Sequence, residues 1–261
     1  MLPLLLVLAA VLGLAVGSFL NVVIHRVPRG ESLIRPGSHC PRCGDAVRPR
    51  HNVPVFGWLA LRGKCATCKE PISARYPLVE VGTALLFAAI TARFGWSPEL
   101  PAYLYLASIA VALAMIDLDV QRLPDAIVLP SYLVGLILLA PAVIASGDWG
   151  QGLRALAAMA ALWVFYKLLT IVRPGGMGLG DVKLAGVLGL YLGWLGWDAL
   201  LIGAFAAFLI GGLAGGALLA ARRANGKTAV PFGPYMLLGA FLAIFAAGPV
   251  AGWYLSLLPP A

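Results

Sequence analysis

Charged residues are scarce in this sequence: 11% of its 261 residues are Asp, Glu, Lys or Arg, whereas 61% are hydrophobic. An ordinary soluble domain carries about 25% charged residues, so the composition excludes that class. A helix needs about 20 mostly apolar residues to cross a bilayer. The sequence therefore predicts an all-α polytopic membrane protein. Its eight predicted transmembrane runs are 2–24, 77–94, 100–116, 127–146, 153–172, 184–197, 199–220 and 233–257, of which the sixth is the shortest.

No Lys or Arg precedes the first apolar run, and its flanking charges, Arg26 and Arg29, follow it. A secretory signal peptide has a positive segment first and a shorter apolar stretch. The sequence therefore predicts a retained helix at 1–24 with its N-terminus outside the cell.

Basic residues are nearly absent from one side of the predicted topology. The segment from His25 to Tyr76 holds ten of the 19 Lys and Arg residues, whereas only Arg93 and Arg154 fall on the opposite side. Cytoplasmic loops of membrane proteins are enriched in Lys and Arg. This pattern predicts a membrane protein with both termini outside and the 25–76 segment in the cytoplasm. The net charge of +8 fits this orientation and attraction to anionic membrane lipids. No nucleic-acid-binding module accompanies the charge, so no nucleic-acid partner is expected.

Glycine is abundant, with 31 residues. Small residues four positions apart let membrane helices approach closely. The pairs Gly211/Gly215 and Gly212/Gly216 predict such a packing face.

Cysteine is confined to the 25–76 segment, as Cys40-Pro-Arg-Cys43 and Cys65-Ala-Thr-Cys68. Two Cys-x-x-Cys pairs with this separation are typical of a four-thiolate zinc site, and disulfides are rare in a reducing cytoplasm. The zinc would be structural, because four thiolates leave no open coordination position. A redox pair is the alternative function, and His39 and His51 are possible substitute ligands.

Two of the 11 acidic residues, Asp117 and Asp181, lie where apolar helices open onto the predicted cytoplasmic face. Asp117 follows the uncharged run 100–116, and Asp181 follows the glycine-rich turn 175–180. An ionisable group at membrane depth is costly and indicates function. The topology returns both carboxylates to the cytoplasmic face, which favours an acid/base dyad that shares a proton. The alternative is a pair of helix-end carboxylates in headgroup water.

The neighbouring polar residues have competing interpretations. Asp119 points away from Asp117, because residues two apart lie on opposite sides of a helix. Pro124 ends that helix, so Asp125 is expected to cap the next one. Glu80 is either an ion-pair partner of a loop arginine such as Arg75 or a functional residue. Lys183 either extends toward the lipid surface or tunes the charge of the dyad.

The glycine-rich turn does not predict a dinucleotide site, because no strand precedes it. Gly178 and Gly180 instead let the backbone approach a substrate, or form a re-entrant turn beside a water-filled site. No Ser/His pair and no His-Glu-x-x-His pattern supports a serine protease or metalloprotease.

These residues together resemble the bacterial type IV prepilin peptidases, a family of membrane aspartic proteases. The likeness rests on four blocks in the family's order: 17–24; the cysteine pairs with Asn52-Val-Pro54 and 61–65; 72–77 leading to Glu80; and 117–125 with Gly178-Leu-Gly-Asp181.

The resemblance implies that Asp117 and Asp181 are the catalytic pair. It implies cleavage of a basic leader from type IV prepilins and pseudopilins, after a glycine on the cytoplasmic side. It also implies N-methylation of the new terminus with S-adenosylmethionine by the N-terminal part, with which it associates Asn52, Arg75 and Glu80. The expected parts are a first transmembrane helix (1–24), a zinc-binding loop (25–76) and a seven-helix peptidase domain (77–261).

Charge predicts where a basic leader binds. The strongly basic 25–76 segment would repel it, whereas Asp119 and Asp125 flank Asp117 and attract Lys or Arg side chains. Gly178, Gly180 and Lys183 complete the predicted substrate-binding set. A proton- or cation-coupled transporter is the competing class because it also uses membrane carboxylates, and an inactive zinc-stabilised scaffold is a third. Neither predicts both the cysteine pairs and two aspartates at one face.

Overall fold

The computed structural model describes residues 1–173, 177–221 and 231–256. Within these ranges the chain is helical, with two isolated β-bridges and no strand. The segment between the first two long helices contains one short helix, α2 (Phe56–Ala60), and two 3-10 turns. The long helices are α1 (Leu2–Arg26), α3 (Arg75–Phe94), α4 (Leu100–Val120), α5 (Asp125–Ser146), α6 (Trp149–Val172), α7 (Leu179–Leu195), α8 (Trp197–Ala220) and α9 (Gly233–Ser256).

Each of the eight predicted runs coincides with one long helix, so the all-α membrane architecture is confirmed. Seven of these helices are long and apolar enough to cross a membrane. The exception is α7, whose 17 residues span about 26 Å. The predicted bounds of this sixth run, 184–197, are wrong at both ends. The first five residues of α7 include Asp181 and Lys183, which break the apolar pattern, and Trp197 already belongs to α8. The predicted end of the last run, residue 257, lies outside the described residues.

The chain divides into two compact units, Met1–Ala112 and Leu113–Ala261. In the first unit, α1 packs along α3. Gly13 and Gly17 make this contact possible: a Cβ on either would lie within 2.7 Å of an α3 backbone atom, at Ala84 and Glu80 respectively.

In the second unit, α7 lies against α5, α6, α8 and α9. From Asp181 to Trp194 every residue of α7 except Lys183 is buried, which explains why this helix is apolar on all sides. Gly189 brings its backbone against α6, since a Cβ there would lie 2.6 Å from the carbonyl oxygen of Ala158. At the far end, the Arg154 guanidinium donates to the carbonyls of Gly193 and Trp194, and so satisfies the last carbonyls of α7.

The predicted packing face at Gly211/Gly215 and Gly212/Gly216 is wrong for contacts between described residues. A Cβ on Gly212, Gly215 or Gly216 would meet no described atom within 4 Å, and only Gly211 has neighbours. The spacing that predicted this face recurs at Gly13/Gly17 and Gly189/Gly193, where helices do meet. Spacing alone does not identify which glycine pair faces another helix.

Candidate active site and metal centre

Asp117 lies near the C-terminal end of α4 and is 4% exposed. Its Oδ2 accepts a hydrogen bond of 3.0 Å from the backbone N–H of Gly233, the first residue of α9. The N-terminus of a helix carries partial positive charge and unpaired N–H groups, so it stabilises a carboxylate placed there. The buried Asp117 is therefore compensated by the start of a helix that comes 116 positions later in the chain.

Asp181 lies in the first turn of α7 and is 8% exposed. Its Oδ2 accepts a 3.0 Å hydrogen bond from the backbone N–H of Gly178, the N-cap residue of the same helix. This is the reciprocal contact of a capping box, in which the third helical residue reaches back to the cap. Each of the two aspartates thus places its carboxylate at a helix N-terminus.

Leu123 brings the two aspartates to the same region of the second unit. A Cβ built on Gly180 would lie 3.0 Å from Leu123 Cβ, and one built on Gly233 would lie 3.2 Å from Leu123 Cδ2. Gly180 precedes Asp181 in the chain, and Gly233 donates to Asp117. There is no room for a side chain at Gly233, because a Cβ there would lie 2.7 Å from Asp117 Oδ2.

The other acidic residues of this region differ from the pair in exposure. Asp119 is exposed, as expected for a residue on the other side of α4 from Asp117. Asp125 accepts two hydrogen bonds from Lys183 Nζ, at 2.7 and 2.8 Å. The prediction that Asp125 caps α5 is wrong by one position. Pro124 is the N-cap, and Asp125 is the first helical residue, which frees its carboxylate for Lys183.

Lys183 connects α5 to α7 rather than extending toward lipid. Its side chain pairs with Asp125, and its carbonyl accepts a 2.6 Å hydrogen bond from the Tyr132 hydroxyl. The Tyr132 hydroxyl packs against the backbone of Gly186: a Cβ on Gly186 would lie only 2.1 Å from the hydroxyl oxygen. Tyr132 and Gly186 were not found from the sequence, since an aromatic residue and a glycine in apolar runs carry no polar signal.

The four cysteines of the first unit converge, with all four sulfur atoms within 4.8 Å of one another. Cys40 Sγ lies 3.8 Å from Cys68 Sγ, and Cys43 Sγ lies 4.0 Å from Cys65 Sγ. Four thiolates at the usual Zn–S distance around a tetrahedral ion are about 3.8 Å apart. The cluster can therefore hold a metal ion, and the geometry matches the predicted zinc site.

The two cysteine pairs are folded in the same way. The N–H of the first cysteine of each pair donates five residues ahead, from Cys40 to the Asp45 carbonyl at 2.9 Å and from Cys65 to the Glu70 carbonyl at 2.8 Å. The residue after each pair, Gly44 or Lys69, adopts a positive φ, of 73° and 61° respectively. Hydrogen bonds from the backbone N–H groups of Cys68 and Thr67 lower the pKa of Cys65 to about 7, and similar bonds lower the pKa of Cys40. At Cys40 and Cys65 these turns favour the thiolate form, which is the form that binds metal. At Cys68 the backbone N–H of Glu70 has the same effect, but burial and the neighbouring thiols outweigh it and raise the pKa of Cys68 to about 12.

Glu80 joins the cysteine-containing segment to the helices of the first unit. It lies in α3 with 7% exposure, and its Oε2 accepts a 2.7 Å hydrogen bond from the backbone N–H of Val55. Val55 has φ 62° and ψ −52°, an unfavourable conformation for a β-branched residue. Arg75, the other charged residue predicted near Glu80, is the first residue of α3.

A cleft of about 440 Å³ lies beside this junction. Its walls combine apolar α1 residues with the 33–38 segment, and Asn52 and Pro54 contribute its edge. Arg26 is 8% exposed and donates to the carbonyls of Ser32 and Pro36, so it holds one wall in place. Of the residues predicted for this part of the chain, Asn52 therefore lines the cleft and Glu80 supports its edge through Val55.

Two family models match successive parts of the chain. Residues 11–94 match the bacterial peptidase A24 N-terminal domain, and residues 104–218 match the type IV leader peptidase family. No solved structure matches the chain.

Three relatives are each named prepilin leader peptidase/N-methyltransferase. The protein from Stutzerimonas stutzeri is 39% identical over 97% of this chain and 95% of its own length. The one from Pseudomonas aeruginosa is 38% identical, covering 97% and 94%. The one from Neisseria gonorrhoeae is 37% identical, covering 95% and 94%. The chain therefore belongs to the type IV leader peptidase family.

Proposed function

We propose that this protein is a membrane aspartic endopeptidase that removes the basic leader from type IV prepilins and pseudopilins. The observation that carries the proposal is the pair formed by Asp117 and Asp181. Both carboxylates are buried on helix N-termini, and the glycines at those two helix starts, Gly180 and Gly233, lie against the same leucine, Leu123. The relatives' names supply the substrate class.

The chemistry requires one carboxylate and one carboxylic acid. The carboxylate takes a proton from water while the water oxygen attacks the scissile carbonyl carbon, and the acid donates its proton to the carbonyl oxygen. Collapse of the tetrahedral intermediate breaks the C–N bond, and the leaving amine takes up a proton. Among the described residues, the N–H groups of Gly178 and Gly233 each bond to Oδ2, so the other oxygen of each aspartate would do this work.

We extend the methyltransferase activity in the relatives' names to this chain, with S-adenosylmethionine as the methyl donor. The cleft beside Asn52 suits such a group, since its volume lies within the usual range for small-molecule sites. Apolar surface from Phe19 and Val22 would pack against the adenosyl group, and Ser18 and Asn52 offer hydrogen-bond partners. The donor supplies an electrophilic methyl group; the cleft would bind and orient it.

We also propose that the four-cysteine cluster binds zinc and that this zinc is structural. The 27–74 segment contains few buried apolar residues, so a metal would supply the stability that a small core cannot. The distribution of basic residues supports an inner-membrane location with this segment and the aspartates on the cytoplasmic side.

The test uses the purified full chain, reconstituted in lipid, and a prepilin with a basic leader. Asp117→Asn and Asp181→Asn should each abolish leader cleavage, because Asn keeps the shape of the side chain but cannot exchange the proton. Asp119→Asn is the matched control for kcat: it makes the same change two residues from Asp117 at an exposed position, and as a predicted leader-binding residue it should affect KM rather than abolish cleavage. Normal cleavage by either member of the pair would refute the assignment.

A further inference from the structure

Tyr166 on α6 lies level with Asp181 on α7. The two helices are antiparallel: a Cβ on Gly193 would lie 3.2 Å from Ala155 Cα, and one on Gly189 would lie 2.9 Å from Met159 Cα. A step of four residues along one helix thus matches four along the other. Continuing in this register from Ala158 and Gly189, about two further turns lead to Tyr166 on α6 and to Asp181 on α7.

The phenol faces inward at this level. Tyr166 is 1% exposed and continues the buried face of α6 formed by Ala155, Ala158 and Leu162.

Aromatic rings extend from Tyr166 toward Asp117. The ring of Tyr166 lies 5.5 Å from that of Phe208 and 6.4 Å from that of Phe232, measured between centroids. Phe232 immediately precedes Gly233, which donates to Asp117. The Tyr166 ring is therefore placed near both aspartates. The register of α6 and α7 places it at the level of Asp181, and its neighbour Phe232 directly precedes the residue that bonds Asp117.

We propose that Tyr166 is a further catalytic residue, whose hydroxyl donates a hydrogen bond to the scissile carbonyl oxygen of the peptide held between Asp117 and Asp181. The rings of Phe208 and Phe232 pack against an apolar side chain next to the scissile bond. This assignment rests on the proposed peptidase function. A tyrosine that only fills space needs its ring and not its hydroxyl, so removal of the oxygen separates the two roles.

The experiment compares Tyr166→Phe with Tyr191→Phe in the reconstituted full chain. Tyr191 is a matched control because it is 0% exposed and lies further along α7. Tyr166→Phe should lower kcat about tenfold or more with little change in KM or melting temperature, because a hydrogen bond to an oxygen that gains charge strengthens in the transition state. Tyr191→Phe should retain the wild-type kcat.

An unchanged kcat in Tyr166→Phe would overturn the proposal, as would an equal loss in Tyr191→Phe or a loss explained by unfolded protein. The Asp117→Asn and Asp181→Asn variants are measured in parallel. If they abolish cleavage while Tyr166→Phe does not slow it, only the role of Tyr166 fails. If they cleave normally, the proposed active site itself fails.

Discussion

The backbone N–H of Gly233, the first residue of α9, donates a 3.0 Å hydrogen bond to Asp117 Oδ2 and so helps to hold that carboxylate in position. A side chain at Gly233 would also have little room, because its Cβ would lie 2.7 Å from the same oxygen. A methyl group there must displace either the carboxylate or the helix start. Gly233 is thus tied to the proposed chemistry through both its N–H group and its lack of a side chain.

Gly233→Ala should therefore lower kcat for leader cleavage at least tenfold, because small displacements of reacting groups cost on the order of 100-fold in rate. Gly248→Ala is the matched control: it adds the same methyl group on the same helix, where no described atom lies within 4 Å. That control should be as active as the wild type and no less stable, since Ala is the better helix former. Steady-state cleavage kinetics and thermal unfolding measure both. Equal activity of the two variants would contradict a role for the Gly233 contact.

A second prediction concerns the contact between α6 and α7. Gly189→Ala should destabilise the protein by about 1–3 kcal/mol, because the new Cβ would lie 2.6 Å from a backbone oxygen and the helices would have to separate. Gly215→Ala on α8 adds a methyl group that meets no described atom within 4 Å, so it should be nearly neutral. Unfolding in detergent, followed by circular dichroism, compares the two variants. Destabilisation by Gly215→Ala alone would reverse the assignment of the packing faces.

Asp117 and Asp181 could be predicted from the sequence because a carboxylate beside a long apolar run is costly and conspicuous. The groups that support them could not. Gly233 contributes an N–H group that no pattern distinguishes, and Tyr166 resembles any aromatic residue in a membrane helix. Asp125 shows the same limit: its position near a helix start was predictable from Pro124, but its partner Lys183 is 58 positions away. Sequence patterns identify residues that are unusual for their surroundings, whereas long-range contacts depend on the packing of helices.

The ion pair between Lys183 and Asp125 leads to a third prediction, about how a basic leader binds. The two side chains are 33% and 55% exposed, so the pair contributes at most about 1 kcal/mol to stability. Lys183→Gln should leave the fold intact, free the charge of Asp125 and lower KM for a substrate with a basic leader. Asp119→Asn combined with Asp125→Asn should raise KM while kcat is largely kept.

Salt provides the control for this electrostatic effect. Both changes in KM should shrink as ionic strength rises, because the screening length falls from about 30 Å at 0.01 M to about 10 Å at 0.1 M. If neither variant changes KM at low ionic strength, the leader does not use these carboxylates.

A fourth prediction concerns the metal centre. Cys40→Ser should release zinc and expose the 27–74 segment to proteases, because it removes one of four convergent thiolates. His39→Ala is the control, because it changes an exposed neighbour and leaves all four thiols in place. Metal content is measured by elemental analysis after purification under reducing, chelator-free conditions. Wild-type protein without zinc would refute the site, and zinc loss in His39→Ala would give that histidine a ligand role.

The last prediction separates the two proposed activities at Glu80. Its carboxylate holds the N–H of Val55, a residue whose positive φ is unfavourable and therefore needs an external contact to persist. Val55 follows Pro54, which lines the cleft proposed for the methyl donor. Glu80→Ala would leave a buried N–H unpaired at a cost of about 1–3 kcal/mol, so the 52–55 turn should rearrange.

Binding of S-adenosylmethionine and methyl transfer to a pre-cleaved pilin should fall at least fivefold, or about 1 kcal/mol. Leader cleavage should stay within about twofold, since Glu80 bonds Val55 and not the glycines that bond the two aspartates. Glu80→Gln retains an oxygen acceptor and should preserve much of the methyl-donor affinity.

Equilibrium binding of labelled S-adenosylmethionine measures the affinity for the methyl donor directly, without relying on turnover. Undiminished binding in Glu80→Ala would place the donor elsewhere, and equal loss of cleavage and methylation would show that Glu80 supports the whole fold rather than the cleft.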